Sequence, residues 1–181
     1  MLSTLRQKLG VAFARLQLGN NHENVIAFTN ALHQAKKALI IFPETLIDRD
    51  SVVALFRYII NKFSPDNTIL LIHENQLFSI SSMPSIKKVT YSQEDLNRLF
   101  LPRKKLVRKI ERCGVDIAID LNIKFSLCSA YICKASKAPV RVSFAKKNGD
   151  YFYNFQFRAK NNGEDSLKYK NLLKCLEMFQ A

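Results

Sequence analysis

The chain has 181 residues, is 48% hydrophobic, and carries 28 Lys and Arg against 15 Asp and Glu, a formal net charge of +13. That apolar share supports a buried core, and five Gly and five Pro argue against a linker-dominated or low-complexity chain. The length predicts one domain, no run nears the roughly 20 apolar residues of a membrane span, and the start lacks a signal peptide's apolar stretch and cleavage site. A cytoplasmic protein is expected, with peripheral attachment to the inner membrane face as the alternative.

The first elements read as helices. Ser3 or Thr4 caps a helix to about Leu18, with Leu2, Leu5, Leu9, Ala12, Phe13 and Leu16 on one face and Arg6, Lys8 and Arg15 elsewhere. Gly19-Asn20-Asn21 ends it. A basic amphipathic helix either packs on its domain, pairs with a partner, or lies in a bilayer interface, so the 4–18 helix is a candidate peripheral membrane contact. A second helix is predicted over 23–37, with Val25, Ile26, Phe28, Ala31, Leu32 and Ala35 inward. Residues 1–36 therefore form an N-terminal helical segment ahead of a domain over 37–181.

From there apolar runs alternate with helical patterns. Strand 38–42 leads to helix 51–62, with Val52, Val53, Leu55, Phe56, Ile59 and Ile60 inward, and then to strand 68–72. A serine-rich connection covers 75–84, followed by a strand over 86–90, a short helix over 93–100 and a basic helix over 103–112. Strands at 115–120 and 139–144 enclose a mostly apolar helix containing Phe125, Leu127, Cys128, Ala130, Tyr131, Ile132 and Ala135. Runs apolar at nearly every position suit strands covered on both faces, so the fold class is α/β: a Rossmann-like open parallel sheet of order 3-2-1-4-5 with flanking helices. Asp120 falls at the carboxyl end of its strand, the edge where such sheets place ligands. A closing helix is expected over 166–179.

Residues 113–144 also carry a family resemblance. Asp116-x-x-Ile119-Asp120-Leu121, a small-residue helix, and Ala138-Pro139-Val140-Arg141-Val142-x-Phe144 resemble the end of the N-terminal domain in the ADP-heptose–lipopolysaccharide heptosyltransferases. Those are GT-B glycosyltransferases, with two Rossmann-like domains facing a cleft. Ser143 stands where the family pattern has glycine. The similarity spans residues 37–181 and is specific over 113–144. It implies the acceptor-side half of such an enzyme, without the nucleotide-sugar domain. It also implies a general base in the loop after the first strand, where the family reads Ser-x-Gly-Asp. Here residues 43–51 hold no glycine, and counting back from Phe63-Ser64-Pro65 places the base at Arg49. Asp48 or Asp50 fills that position after a shift of one residue, and Asp50 is equally placed as a helix N-cap. Asp48, Asp50 and Asp120 are the catalytic candidates.

Charge is the second signal. Residues 87–112 hold nine basic residues and three acidic ones, and 134–147 hold five basic residues and no acid. Arg103, Lys104, Lys105, Arg108, Lys109 and Arg112 share one short helix, with Lys104, Arg108 and Arg112 aligned and Leu106, Val107 and Ile110 turned toward the sheet. They are the candidate anion-binding residues, for a phosphorylated glycolipid, a nucleic acid or an acidic protein. The competing reading is a solvated face. Tyr151, Phe152, Tyr153, Phe155 and Phe157 beside Arg158 suit base stacking, or, more commonly, a core-facing or edge strand. Cys113, Cys128, Cys133 and Cys175 form no CxxC pair and read as reduced structural thiols, and His22, His33 and His73 lack metal-ligand spacing. No GxGxxG, Walker, HExxH or GxSxG sequence is present, so neither a cofactor nor a metal is expected. The leading reading is a binding or interaction protein with an anionic partner and no glycosyl transfer of its own. The alternatives are the acceptor half of a glycosyltransferase completed by a second chain, and a nucleic-acid-binding module.

Overall fold

Six parallel strands form one sheet, in the order β3-β2-β1-β4-β5-β6. They are β1 (Ala38–Ile41), β2 (Thr68–His73), β3 (Lys87–Tyr91), β4 (Ile117–Asp120), β5 (Val140–Phe144) and β6 (Phe155–Phe157). The computed structural model describes residues 2–19, 27–45, 48–80, 86–158 and 165–178. The helices are α1 (Leu2–Leu18), α2 (Phe28–Gln34), α3 (Arg49–Phe63), α4 (Lys104–Glu111), α5 (Leu127–Ala135) and α6 (Asp165–Met178).

The strands β1, β4 and β5 are buried at every position because helices cover both faces, which explains their mostly apolar make-up, with Asp120, Arg141 and Ser143 as buried polar exceptions. One face packs Leu39, Ile41, Leu71 and Ala118 against α4 and α5, with Val11 and Ala14 of α1 joining that layer. The other packs Ile40, Leu70, Ile119 and Val142 against α3 and α6, with Leu32 of α2 beside them. The two N-terminal helices thus lie on opposite faces of one sheet. Val25 and Ile26 lie outside the described residues.

The expected order 3-2-1-4-5 is present, extended by β6. β6 pairs parallel with β5, Phe144 opposite Phe157. Phe152 and Tyr153 are buried ahead of it, and Phe155 stacks on Phe28 with ring centroids 3.8 Å apart, so this aromatic segment is packed into the domain. Two local expectations are corrected. Residues 93–100 form only a 3-10 turn over Gln93–Asp95, because Leu96 bridges Pro102 and closes the segment into a loop. Residues 74–80, expected as a plain connection, form a 3-10 helix.

Helix α1 reverses a simple expectation. Its large apolar residues do not face the sheet. Gly10, Val11 and Ala14 do, while Leu5, Leu9, Phe13 and Leu16 point to solvent. The reason is proximity. A side chain at Gly10 would sit 2.5 Å from both the Leu99 carbonyl oxygen and Leu127 Cδ2, so only the helix's small face fits this close to the loop and α5. Tyr131 then donates to Gln17 Oε1 at 3.1 Å, and Tyr151 donates to the Gly19 carbonyl at 2.7 Å, holding the helix down.

Candidate functional site

Strand β1 leads to β2 through α3 on one face, and β4 leads to β5 through α5 on the other, so the chain leaves adjacent strands in opposite directions. The carboxyl edge between β1 and β4 is therefore the switch point of the sheet, the position where open α/β folds form a crevice. Glu44, in the loop after β1, organises it. Its amide donates to Asn122 Oδ1 at 2.8 Å, and its carbonyl accepts from Gln76 Nε2 at 3.0 Å. Its Oε1 accepts from the Tyr91 hydroxyl at 3.0 Å and from Ser126 Oγ at 2.6 Å. One residue thus ties together the segments that follow β1, β2 and β4 and the end of β3.

A cavity of about 460 Å3 opens beside this carboxylate. Glu44, His73, Gln76 and Tyr91 stand on one part of its wall, with Phe100, Phe125 and Cys128 also lining it. Phe100 takes a left-handed backbone, φ +62°, in a turn braced by Asn97 Oδ1, which accepts from the amides of Leu99 and Leu101. Burial, reinforced by the Glu44 carboxylate, pushes the Tyr91 phenol up, so it stays a donor to that carboxylate to higher pH than an ordinary phenol. Carboxylate, amide, imidazole and hydroxyl groups beside aromatic rings give the cavity hydrogen-bond donors and acceptors next to apolar surface.

Behind the cavity lies a second polar group. Asp120 is fully buried and ion-paired with Lys146 Nζ at 2.9 Å, with the lysine side chain only 4% exposed. Asp120 also accepts from Asn122 Nδ2 at 2.7 Å and from the Tyr153 hydroxyl. Lys146 donates further to the Asn122 carbonyl at 2.6 Å. Asn122 links this pair to Glu44 and also donates to Ser129 Oγ at 3.1 Å. Asp120 does not line the cavity, so its geometry is that of a buried support for the loop that shapes the site.

The other sequence candidates stand apart from it. Asp48 is the N-cap of α3, accepting from the Ser51 amide at 3.2 Å, and hydrogen bonding from the Ser51 side chain first, then from its amide, holds its carboxyl below the usual range. Asp50 lies within the first turn and is exposed, so the N-cap role expected of it belongs to Asp48, two residues earlier. Arg103, Lys104, Lys105, Arg108, Lys109 and Arg112 are all exposed on or beside α4, with Leu106 and Ile110 buried beneath them. Among the described residues no carboxylate pairs with any of the six; Glu111 sits 3.8 Å from Lys137 instead. Arg103 Nε donates to the Leu96 carbonyl at 3.2 Å, and Leu96 lines the cavity, so the basic helix begins at the cavity wall.

His73 lines the cavity and His33 is exposed on α2, whereas His22 lies outside the described residues. Among the described residues no cluster of three His, Cys, Asp or Glu groups is placed to hold a metal ion, and no helix is long and apolar enough to cross a membrane. All four cysteines are free. Burial raises the Cys128 and Cys133 thiols far above their ordinary range and Cys175 less, which depletes the reactive thiolate. Iodoacetamide at pH 8 is expected to label Cys175 first, Cys128 on the cavity wall much more slowly, and Cys133 only on unfolding. Mass spectrometry of partly labelled protein checks this, and equal labelling of Cys128 would mean that solvent reaches its thiol freely.

Fold and site together define a Rossmann-like α/β domain with a ligand-sized cavity at its switch point. Among solved structures, the chain is similar to Escherichia coli ADP-heptose lipopolysaccharide heptosyltransferase II, with 20% identity and a TM-score of 0.47. The match covers 66% of this chain and 33% of that one, so it spans about a third of the enzyme's length. This is the family that residues 113–144 resemble. No protein-family model matches the chain, and no curated protein matches it.

Proposed function

We propose that the chain is a binding domain of heptosyltransferase-like architecture that takes a phosphorylated, polyhydroxylated ligand and performs no glycosyl transfer alone. The observation that carries this reading is the junction at Leu96. There Arg103 bonds to the backbone of a cavity-wall residue, and under this reading a single ligand sets its hydroxyls beside Glu44 and its phosphate at Arg103 and Lys104. A phosphorylated glycolipid headgroup has this chemistry. Arg98, in the same loop, is also exposed.

Saturation-transfer NMR with glucose and glucose 6-phosphate tests both halves of the proposal. The phosphorylated sugar is expected to bind more tightly. Replacing Arg103 and Lys104 by glutamine is expected to remove that preference, about tenfold or more, since hydrogen bonds to charged groups contribute about 1.5–3 kcal/mol. Glu44→Gln should weaken both sugars. Equal binding of the two sugars to the native protein would sink the phosphate assignment, and binding unaffected by Glu44→Gln would place the ligand elsewhere.

A second reading has one observation in its favour. Glu44 is a cavity carboxylate in the loop after β1, where the resemblance places a general base. Under it the chain is the acceptor half of a glycosyltransferase completed by another polypeptide. Turnover of a nucleotide sugar that appears only when a chain carrying a nucleotide-sugar domain is added, and is lost in Glu44→Gln, would favour this reading over binding without transfer.

A further inference from the structure

Helix α1 presents its large apolar side chains away from the protein. Leu5, Leu9, Phe13 and Leu16 are 57%, 53%, 44% and 80% exposed, whereas Val11 and Ala14 on the opposite side are 7% and 0% exposed. At about 100° per residue, Leu5, Leu9, Ala12, Phe13 and Leu16 centre about half a turn from the face made by Gly10, Val11 and Ala14. Arg6 lies at one edge of this stripe and Lys8 at the other, both exposed. Packing within the domain therefore leaves the stripe uncovered.

The surroundings indicate its occupant. Helices α1 and α4 both pack on α5 and share one apolar cluster, so they form a single layer over one face of the sheet. The outer surface of that layer carries the apolar stripe and the six exposed cations of the α4 region. A second copy is a poor occupant. Each copy has a net charge of +13, and a two-fold contact through α1 would bring like charges together. Four side chains also fall short of the roughly 800 Å2 that each partner buries in a stable complex.

We propose that this layer docks on an anionic bilayer. Helix α1 lies parallel to the surface at the boundary of headgroups and acyl chains, with Leu5, Leu9, Phe13 and Leu16 inserted. Arg6, Lys8 and the α4 cations contact the headgroups. Apolar burial and attraction to anionic lipid are the two terms that hold such helices at an interface.

The chain contains no tryptophan, so Leu9→Trp introduces a single reporter. Its emission is expected to shift to the blue with vesicles of phosphatidylcholine and phosphatidylglycerol, and weakly or not at all with phosphatidylcholine alone. In flotation of the otherwise native chain, Leu5→Gln with Leu16→Gln is expected to lower partitioning at least about tenfold. Both sites are exposed, so the variant should keep the native melting temperature. Separately, Arg6→Gln with Lys8→Gln should lower partitioning only on anionic vesicles. No binding to anionic vesicles, or binding unchanged by the leucine replacements, would overturn the proposal. A blue shift without lipid that grows with protein concentration would also overturn it, by showing that the stripe pairs two copies.

Discussion

Replacing Lys146 by methionine is expected to lower the unfolding free energy by about 3–5 kcal/mol, the effect of stranding a buried charge by removing its partner. For a chain of this size that is a fall of roughly 10 °C in melting temperature. Asp120 is fully buried, and Lys146 is the cation that faces it, at 2.9 Å. Asn122 and Tyr153 still donate to the carboxylate in the variant, which keeps the loss from being larger. The same lysine also donates to the Asn122 carbonyl, so the loop that presents Asn122 to Glu44 loses a brace. Adding Asp120→Asn to Lys146→Met should recover part of the stability, because a neutral amide needs no counter-charge. Urea unfolding of the three variants, including Asp120→Asn alone, measures the coupling. A single replacement within about 1 kcal/mol of native stability would mean that the carboxylate is not held as a buried ion.

Gly10→Ala is expected to destabilise the protein by about 1–3 kcal/mol, although alanine is the better helix former by about 1 kcal/mol. The added carbon would lie 2.5 Å from the Leu99 carbonyl oxygen, a backbone atom that cannot rotate away. Either α1 lifts from the layer, or the turn carrying Leu99 and Phe100 moves. Hydrogen exchange separates the two outcomes. Lifting would raise exchange in α1, and a shifted turn would raise it at the Leu99 and Leu101 amides, which donate to Asn97 Oδ1. Movement of that turn would also reshape the cavity wall at Phe100. Native stability in the variant would show that α1 does not approach this closely in solution.

The strands were legible because a strand covered on both faces must be apolar at almost every position. Ala38–Ile41, Thr68–His73 and Ile117–Asp120 carry that mark whatever they pair with, whereas Val140–Phe144 interleaves Arg141 and Ser143 with its apolar residues. Their order followed from alternation with helices and right-handed crossovers. β6 was harder to place, because three half-buried residues at a sheet edge carry little pattern. The basic helix was legible from local pattern, since Leu106 and Ile110 recur at helical spacing among cations.

The site was only partly legible. Asp120 stood out as a carboxylate closing an apolar run, but its buried ion pair depends on a lysine 26 residues later. Glu44 carried no local signal. What distinguishes it is Tyr91, 47 residues on, and Ser126, 82 residues on, and no spacing rule encodes contacts at such separations. Counting along the loop after β1 led instead to Arg49, which belongs to α3.

The sequence by itself determined the α/β class, the parallel strand order, the basic helix and the amphipathic character of α1. Each depends on the pattern of side chains along one element or on the order in which elements alternate along the chain. The tertiary structure alone decided which face of α1 turns inward, which carboxylate stands in the cavity and which charge is buried. The physical reason is that a period says residues share a face, while only the shape of the neighbouring surface selects the face that fits. At Gly10 that surface left no room for a side chain, and the larger apolar residues were turned out.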